Sequence, residues 1–186
     1  MREVELWDVY DVEGNLIPGR VSVRGKHDLK DGEYHLLVHV WILHSDGRII
    51  LSRRQKGKTF AGAWECTGGC VHQGEDSLTA ALREVREELG LELDPASGEN
   101  YCRYRRNYPY GAKALCDVWV FKQDFDEEQF RLQEEEVSDV QMVNVPRFRK
   151  MVINGEFRKR YPYLSKLIKD RFEPNSANKK SSASPT

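Results

Sequence analysis

The segment that most restricts the fold of this chain is residues 69–91, GCVHQGEDSLTAALREVREELGL. Asp76 or Ser77 offers an N-cap oxygen, and Gly90 offers a left-handed stop, so the spacing predicts a helix running to Leu89. At about 100° per residue, Leu78, Leu82, Val85 and Leu89 gather about 100–160° from Glu84, forming an apolar stripe that must be covered. Glu87, at about 300°, and Glu88, at about 40°, share a face with Glu84, so the helix is expected to pack through its leucines and present three acids elsewhere. Such a helix needs an apolar sheet to lie on.

The flanking sequence supplies strands. Glu3–Val12 alternates, Glu13-Gly14-Asn15 reads as a turn, and a returning segment ends near Arg24. His35–His44 (HLLVHVWILH) is rich in β-branched and aromatic residues, and Asp46-Gly47 before Ile49–Arg53 is a hairpin signal. Lys56–Gly69 is punctuated by glycine and reads as loop, with Trp64 as a buried anchor. Tyr101–Arg106, Ala114–Lys122 and Val137–Val145 read as further strands. Pro146 opens a short helix, and Pro162–Phe172 reads as a last helix with Leu164, Leu167 and Ile168 on one face. Residues 173–186, EPNSANKKSSASPT, have almost nothing to bury and are expected to be a disordered tail. Strands with helices inserted singly imply an α/β or α+β sandwich over residues 1–172, one domain, with no internal repeat.

Charge excludes some partners. The 29 basic and 30 acidic residues nearly cancel, giving no reason to expect a nucleic-acid duplex or an anionic membrane. No apolar run approaches the ~20 residues of a membrane span. The acidic, amphipathic N-terminus is unlike a signal peptide, so a soluble, cytoplasmic protein is expected. The four cysteines form no disulfide scaffold in a chain of this length, and Cys66, Cys70 and His72 lack the paired spacing of structural zinc.

Two readings of the crowded acids stay open on the residues alone. The bland one is a solvated face with ordinary ion pairs, such as Arg83 with Glu87. Against it, Glu84 and Glu88 lie four apart and repel by about 0.2–0.5 kcal/mol, near a helix C-terminus where the macrodipole also disfavours anions. A hard divalent cation, Mg²⁺ or Mn²⁺, converts that repulsion into attraction and commonly shares its sphere with substrate phosphates.

The pattern Gly69-x5-Glu75-x7-Arg83-Glu84-Val85-x-Glu87-Glu88-x-Gly90-Leu91 resembles the Nudix box, G-x5-E-x7-R-E-U-x-E-E-x-G-U, at every fixed position. The strands before it, the Trp64–Gly69 approach and the Leu132–Val145 stretch resemble the same MutT-like family. The resemblance implies an α/β/α sandwich with a mixed β-sheet and a catalytic loop-helix-loop. It implies hydrolysis of a nucleoside diphosphate linked to another group, with water activated by Mg²⁺ or Mn²⁺ attacking phosphorus. By the same resemblance Glu84, Glu87 and Glu88 are metal ligands, with Gly69 and, through water, Glu75 contributing. Arg83 orients the glutamates, and Gly68 and Gly69 let backbone approach metal and phosphates, or simply make a tight turn. Glu87 is the first candidate for general base. Glu135, among Glu134–Glu136, is the second, with a solvated strand entry as the plain alternative.

Residues 34–64 are also similar to isopentenyl-diphosphate isomerases, which share the fold but use a catalytic Cys and a histidine-rich metal site. His27 and His35 roughly mirror two of those histidines. Past Trp64 the similarity breaks, because Gly69-Cys70-Val71-His72-Gln73 displaces the Cys and His, and Ala114-Leu115-Cys116 stands where the isomerases carry acids. An isomerase and a catalytically silent nucleotide-binding module are therefore the rival readings, although such modules usually lose box glutamates and this chain keeps them. His35 and His39 share one strand face and read equally well as ordinary half-buried histidines. Arg53, Arg54 and Lys58 are candidate phosphate clamps or plain surface charge. The run Tyr101–Tyr110 either stacks a base, grips a second phosphate or forms a basic loop tip. The expected partner is a small diphosphate, chosen by loops 56–63 and 107–113, with homodimer formation through the N-terminal strands as a further option.

Overall fold

The computed structural model of the chain describes residues 4–107, 113–158 and 161–173. Strands β1 (Leu6–Tyr10) and β2 (Leu16–Val23) form a two-stranded antiparallel sheet. Strands β3 (His35–Leu43), β4 (Ile49–Arg54), β5 (Trp64–Glu65), β6 (Gly98–Asn107), β7 (Lys113–Lys122) and β8 (Val137–Val143) form the main sheet. Its order is β5-β4-β3-β7-β6, with β8 on the other edge of β4. The β3–β7 pair is parallel and the others antiparallel, so the sheet is mixed.

Helix α1 (Ser77–Leu89) covers one face of this sheet. Helix α2 (Val145–Asn154) and the short α3 (Leu164–Leu167), prolonged by a wider turn over Ile168–Phe172, cover the other. Strand β3 shows why both faces need a cover. Leu36, Val38, Val40 and Ile42 point to the α1 side, and Trp41 and Leu43 to the α2–α3 side. Trp41, Phe148 and Phe157 are fully buried, with Phe148 edge-on to Phe157 at 4.9 Å. Each such side chain contributes roughly 1.5–3 kcal/mol through burial.

The expected hairpin forms only at its tip. His44 donates to the carbonyl of Arg48 across a turn where Gly47 takes φ 84, and Leu43 faces Ile49. Beyond that pair the strands part, and residues 64–71 fill the split. On one side Trp64 and Glu65 pair with Arg53 and Ser52, which makes β5 a strand inside the expected loop. On the other, Val40 donates to the carbonyl of Thr67 and Val38 to that of Gly69. The chain therefore delivers Gly68 and Gly69 into the middle of the sheet.

Trp64 is half-buried, packed against the edge of the α2–α3 core with the Arg53 guanidinium 5.8 Å from its ring, so it anchors the loop without being fully enclosed. Glu173, placed by composition at the start of the tail, pairs with Arg149 at 2.8 Å. Residues 108–110 of the Tyr101–Tyr110 run, 108–112 of the second loop and 174–186 of the tail lie outside the described residues. Among the described residues, no helix is long and apolar enough to cross a membrane.

Candidate active site

Helix α1 is held at both ends as its sequence requires. Asp76 accepts from the Thr79 N–H at 2.7 Å, and Gly90 takes φ 71, where a side chain would press on the Arg131 backbone. Its buried side is not the leucine stripe alone. Ala80, Ala81, Val85 and Leu89 are fully buried, whereas Leu78 and Leu82 are only partly covered. The small alanines bring the helix down on the sheet beside Gly68–Gly69, and Glu84 and Glu88 fall within the covered arc. This corrects the expectation of acids presented away from the packing. The Glu84 side chain is 13% exposed and that of Glu87 48%, so Glu87 alone faces outward.

Arg83 ties the acids together. Its Nε and Nη2 donate to the two oxygens of Glu75 at 2.9 and 3.0 Å, a bidentate pair. Nη2 also reaches the carbonyl of Cys70 at 2.9 Å. Nη1 donates to Glu84 at 2.9 Å and Glu87 at 3.1 Å. Glu75 accepts a further bond from the His72 N–H at 3.0 Å, so it anchors Arg83 and the loop.

The glycines are sterically fixed. A Cβ on Gly68 would lie 2.1 Å from the carbonyl oxygen of Val38, and one on Gly69 would lie 2.2 Å from Glu84 Oε1. Glu84 thus sits where Gly69 has no side chain.

Burial, opposed by Arg83 and reinforced by the charges of Glu87 and Glu5, raises the Glu84 carboxyl to about 7. Glu88 is pushed well above the usual carboxylate range, first by burial and then by Glu84, Glu65 and Glu136. The backbone N–H of Gly68 supports its ionised form. Hard-oxygen donors that are buried and mutually repelling fit a divalent cation. As the side chains stand, Arg83 holds Glu84 and Glu87, and among the described residues no three His, Cys, Asp or Glu side chains converge on one point.

The remaining candidates divide. Arg54 donates to Glu65 and to the carbonyl of Thr59 and lines a cavity of about 140 Å³ beside Gly68 and Gly69. Arg53 instead turns outward, donating to the carbonyl of Gly62 at 3.0 Å. Lys58 pairs with Glu136 at the rim of a second, open cleft that Arg24, Glu5 and Glu135 also line. Of the three acids at 134–136, Glu136 is the one whose charge reaches Glu88, while Glu134 and Glu135 are exposed.

His27 stands exposed, with φ 50. His35 and His39 are both buried, not half-buried. His35 stacks on Trp7 at 4.6 Å, and burial lowers its pKa to about 4. His39 meets the Tyr163 hydroxyl at 2.7 Å through Nδ1, and burial and the charges of Arg106 and Arg158 lower its pKa to about 3. In the 101–107 part of the aromatic–arginine run, Arg103 is paired with Asp117 at 2.6 and 2.8 Å. Arg106, from that run, lines the 140 Å³ cavity with Arg54 and with Arg158, an arginine that sequence reasoning did not select. Arg158 carries no local signal, whereas Arg106 belongs to the run singled out from the sequence. They arrive there through β6–β7 pairing and through the Arg158 N–H bound to the carbonyl of Trp64 at 2.9 Å.

Comparison with known proteins places these features in context. The model of the NUDIX domain matches residues 33–164. An uncharacterized Nudix hydrolase of Listeria innocua is 33% identical over 167 residues, covering 89% of this chain and 94% of that protein. The isopentenyl-diphosphate Delta-isomerase of Klebsiella pneumoniae is 31% identical over 133 residues, covering 68% and 70%. The crystal structure of DR0079 from Deinococcus radiodurans superposes with a TM-score of 0.67 at 20% identity, covering 89% and 98%, a likeness of fold.

Proposed function

Because the chain belongs to the Nudix hydrolase family, we propose that it hydrolyses the diphosphate linkage of a nucleoside diphosphate derivative with the help of Mg²⁺ or Mn²⁺. The observation that carries this reading is the Arg83 fork. It gathers Glu75, Glu84 and Glu87 behind Gly69, while Glu88 lies buried beside Gly68. Glu84, Glu87 and Glu88 are the side chains that would hold the ion, with the Gly69 carbonyl available on the lone pair that Val38 does not use. When bound, the cation neutralises phosphoryl charge and makes water a better nucleophile.

The chain's own residues do the rest. Arg83 fixes the glutamates before substrate arrives. Arg54, at the cavity mouth, grips phosphoryl oxygens, and Lys58 faces the outer cleft. Glu87, the outward member of the three, accepts the proton from the attacking water, and Glu135 at the cleft rim is the alternative base. Water's oxygen ends on one phosphorus, and the bridging oxygen leaves on the other.

The isomerase reading fits the side chains less well. Burial pushes the Cys70 thiol to about 12, far from a proton shuttle near neutral pH. A silent binding module gives no reason to keep Glu84 and Glu88 buried and repelling. The test is a panel of nucleoside diphosphate derivatives with Mg²⁺ and Mn²⁺, alongside isopentenyl diphosphate. Metal-dependent release of a monophosphate supports the hydrolase, and double-bond migration without diphosphate hydrolysis overturns it.

A further inference from the structure

The loop that joins β4 to β5 is tied to the site at three successive residues. Lys58 pairs with Glu136, the acid whose charge reaches Glu88. The carbonyl of Thr59 accepts from Arg54 Nε at 2.7 Å, and Arg54 lines the cavity beside Gly68–Gly69. Phe60 lays its ring on Arg158, another lining residue, with the guanidinium carbon 4.1 Å from the ring centre. The loop backbone is fixed as well. Ala61 donates to the carbonyl of Lys58 at 3.1 Å, Gly62 to that of Arg54 at 3.0 Å and Ala63 to that of Phe60 at 3.1 Å. A loop bound at so many points holds what it carries in one place.

What it carries is an aromatic ring in an unfavourable setting. Phe60 takes φ 62, a left-handed backbone that a bulky residue rarely adopts, and it is 46% exposed. Burial therefore does not offset the strain, and strain of this kind clusters at ligand clamps. A single exposed apolar residue ordinarily needs no explanation, but glycine would make this turn without strain. One face of the ring is covered by Arg158, whose side chain is only 15% exposed. That guanidinium is itself placed, since Nη1 donates to Glu65 at 3.3 Å and the Arg158 backbone N–H to the carbonyl of Trp64 at 2.9 Å. Its Nε is buried and finds no hydrogen-bond partner among the described residues, so the stack is kept although a buried donor goes without a bond. A cation on one face draws on the electron density of the ring, so the free face suits a neutral π system better than a second cation.

We propose that the free face of Phe60 is a stacking shelf for the nucleobase of the substrate, and that this ring separates nucleoside diphosphate derivatives from diphosphates without a base. The inference rests on the hydrolase reading for its reaction and adds the residue that selects for a nucleoside. The ties of the loop to Arg54 and Glu136 hold the shelf in fixed register with the acids of α1. Lys58 is occupied by Glu136, and Ala61 and Gly62 offer no side-chain donor or acceptor. Recognition is therefore by the plane of the base and not by its edge, and every base has a π face.

Binding without turnover isolates the shelf. By titration calorimetry in EDTA, the intact chain should bind AMP about tenfold or more tighter than ribose 5-phosphate, which keeps the sugar phosphate and lacks the base. Phe60→Leu keeps the bulk and apolar character but removes the plane, and should abolish that preference. Phe60→Tyr should retain it. Phe60→Gly guards against a folding artefact, because glycine accepts φ 62 freely. It should unfold no lower than the wild type and lose the preference as well. With Mg²⁺, Phe60→Leu should raise KM for ADP, CDP, GDP and UDP alike by about tenfold, with kcat far less changed. Equal binding of AMP and ribose 5-phosphate by the wild type, binding of neither, or an unchanged preference in Phe60→Leu overturns the proposal. A rise in KM confined to one base overturns recognition by the plane. No turnover of any nucleotide, with Phe60-dependent AMP binding intact, leaves the shelf standing and removes the hydrolase reading instead.

Discussion

Arg83 is the residue on which the acids depend, and its fork explains why lysine cannot replace it. Three nitrogens make five bonds to Glu75, Glu84, Glu87 and a backbone carbonyl, and a single ammonium cannot span them. Arg83→Lys is expected to lose roughly 1–3 kcal/mol of stability, measured by denaturant unfolding, together with most activity. The buried glutamates predict a pH dependence of the opposite sign to the common one. The Glu84 pKa rises from 4.5 to about 7, and Glu88 moves further in the same direction. A carboxyl raised in the folded state supports folding fully below about 4.5, and that support is lost as pH rises through about 7. The metal-free protein should therefore lose stability over that window. Mg²⁺, bound to the ionised form, should raise the Tm more at about pH 8 than at about pH 5. Equal shifts at both pH values would remove the metal from these glutamates. At this scale spacing made legible only that Glu84, Glu87 and Glu88 lie close together and that Arg83 can pair with Glu87, and the family resemblance supplied their roles. Arg158 was not legible, because only tertiary pairing brings it to the cavity.

Among elements, the wedge of residues 64–71 between β3 and β4 does most to build the site. The sequence announced a hairpin and a glycine-rich loop, and both are present. The parting of the strands and the insertion of β5 were hidden, since periodicity reports which face a residue takes and not which neighbour it finds. The two glycines in the wedge should behave differently. At Gly68 the obstacle is the Val38 backbone, so Gly68→Ala should destabilise the fold by about 1–3 kcal/mol or more. At Gly69 the obstacle is the Glu84 carboxylate, which can move, so Gly69→Ala should cost activity before stability. Thermal unfolding and initial rates on the same samples separate the two. Helix α1 was read correctly in its caps and its stop. Its covered arc was misjudged because Ala80 and Ala81, too small to weigh in an apolar stripe, decide how closely it approaches the sheet. Leu89→Ala, which empties a fully buried position under that helix, should cost about 2–5 kcal/mol.

For the whole molecule, the balanced net charge of -1 conceals a strong local separation. Acids of α1, together with Glu136, stand on one side of Gly68–Gly69, and Arg54, Arg106 and Arg158 line the cavity beside them. In the proposed function the glutamates of α1 do the chemistry by way of a divalent cation. The most direct measurement is the rate of monophosphate release from a nucleoside diphosphate by wild type and Glu87→Gln, with Mg²⁺ and with EDTA. We predict turnover only with the cation, and a fall of about 10²–10⁴-fold in the variant without a lower Tm. Turnover that persists in EDTA, or a variant as fast as the wild type, would contradict the account.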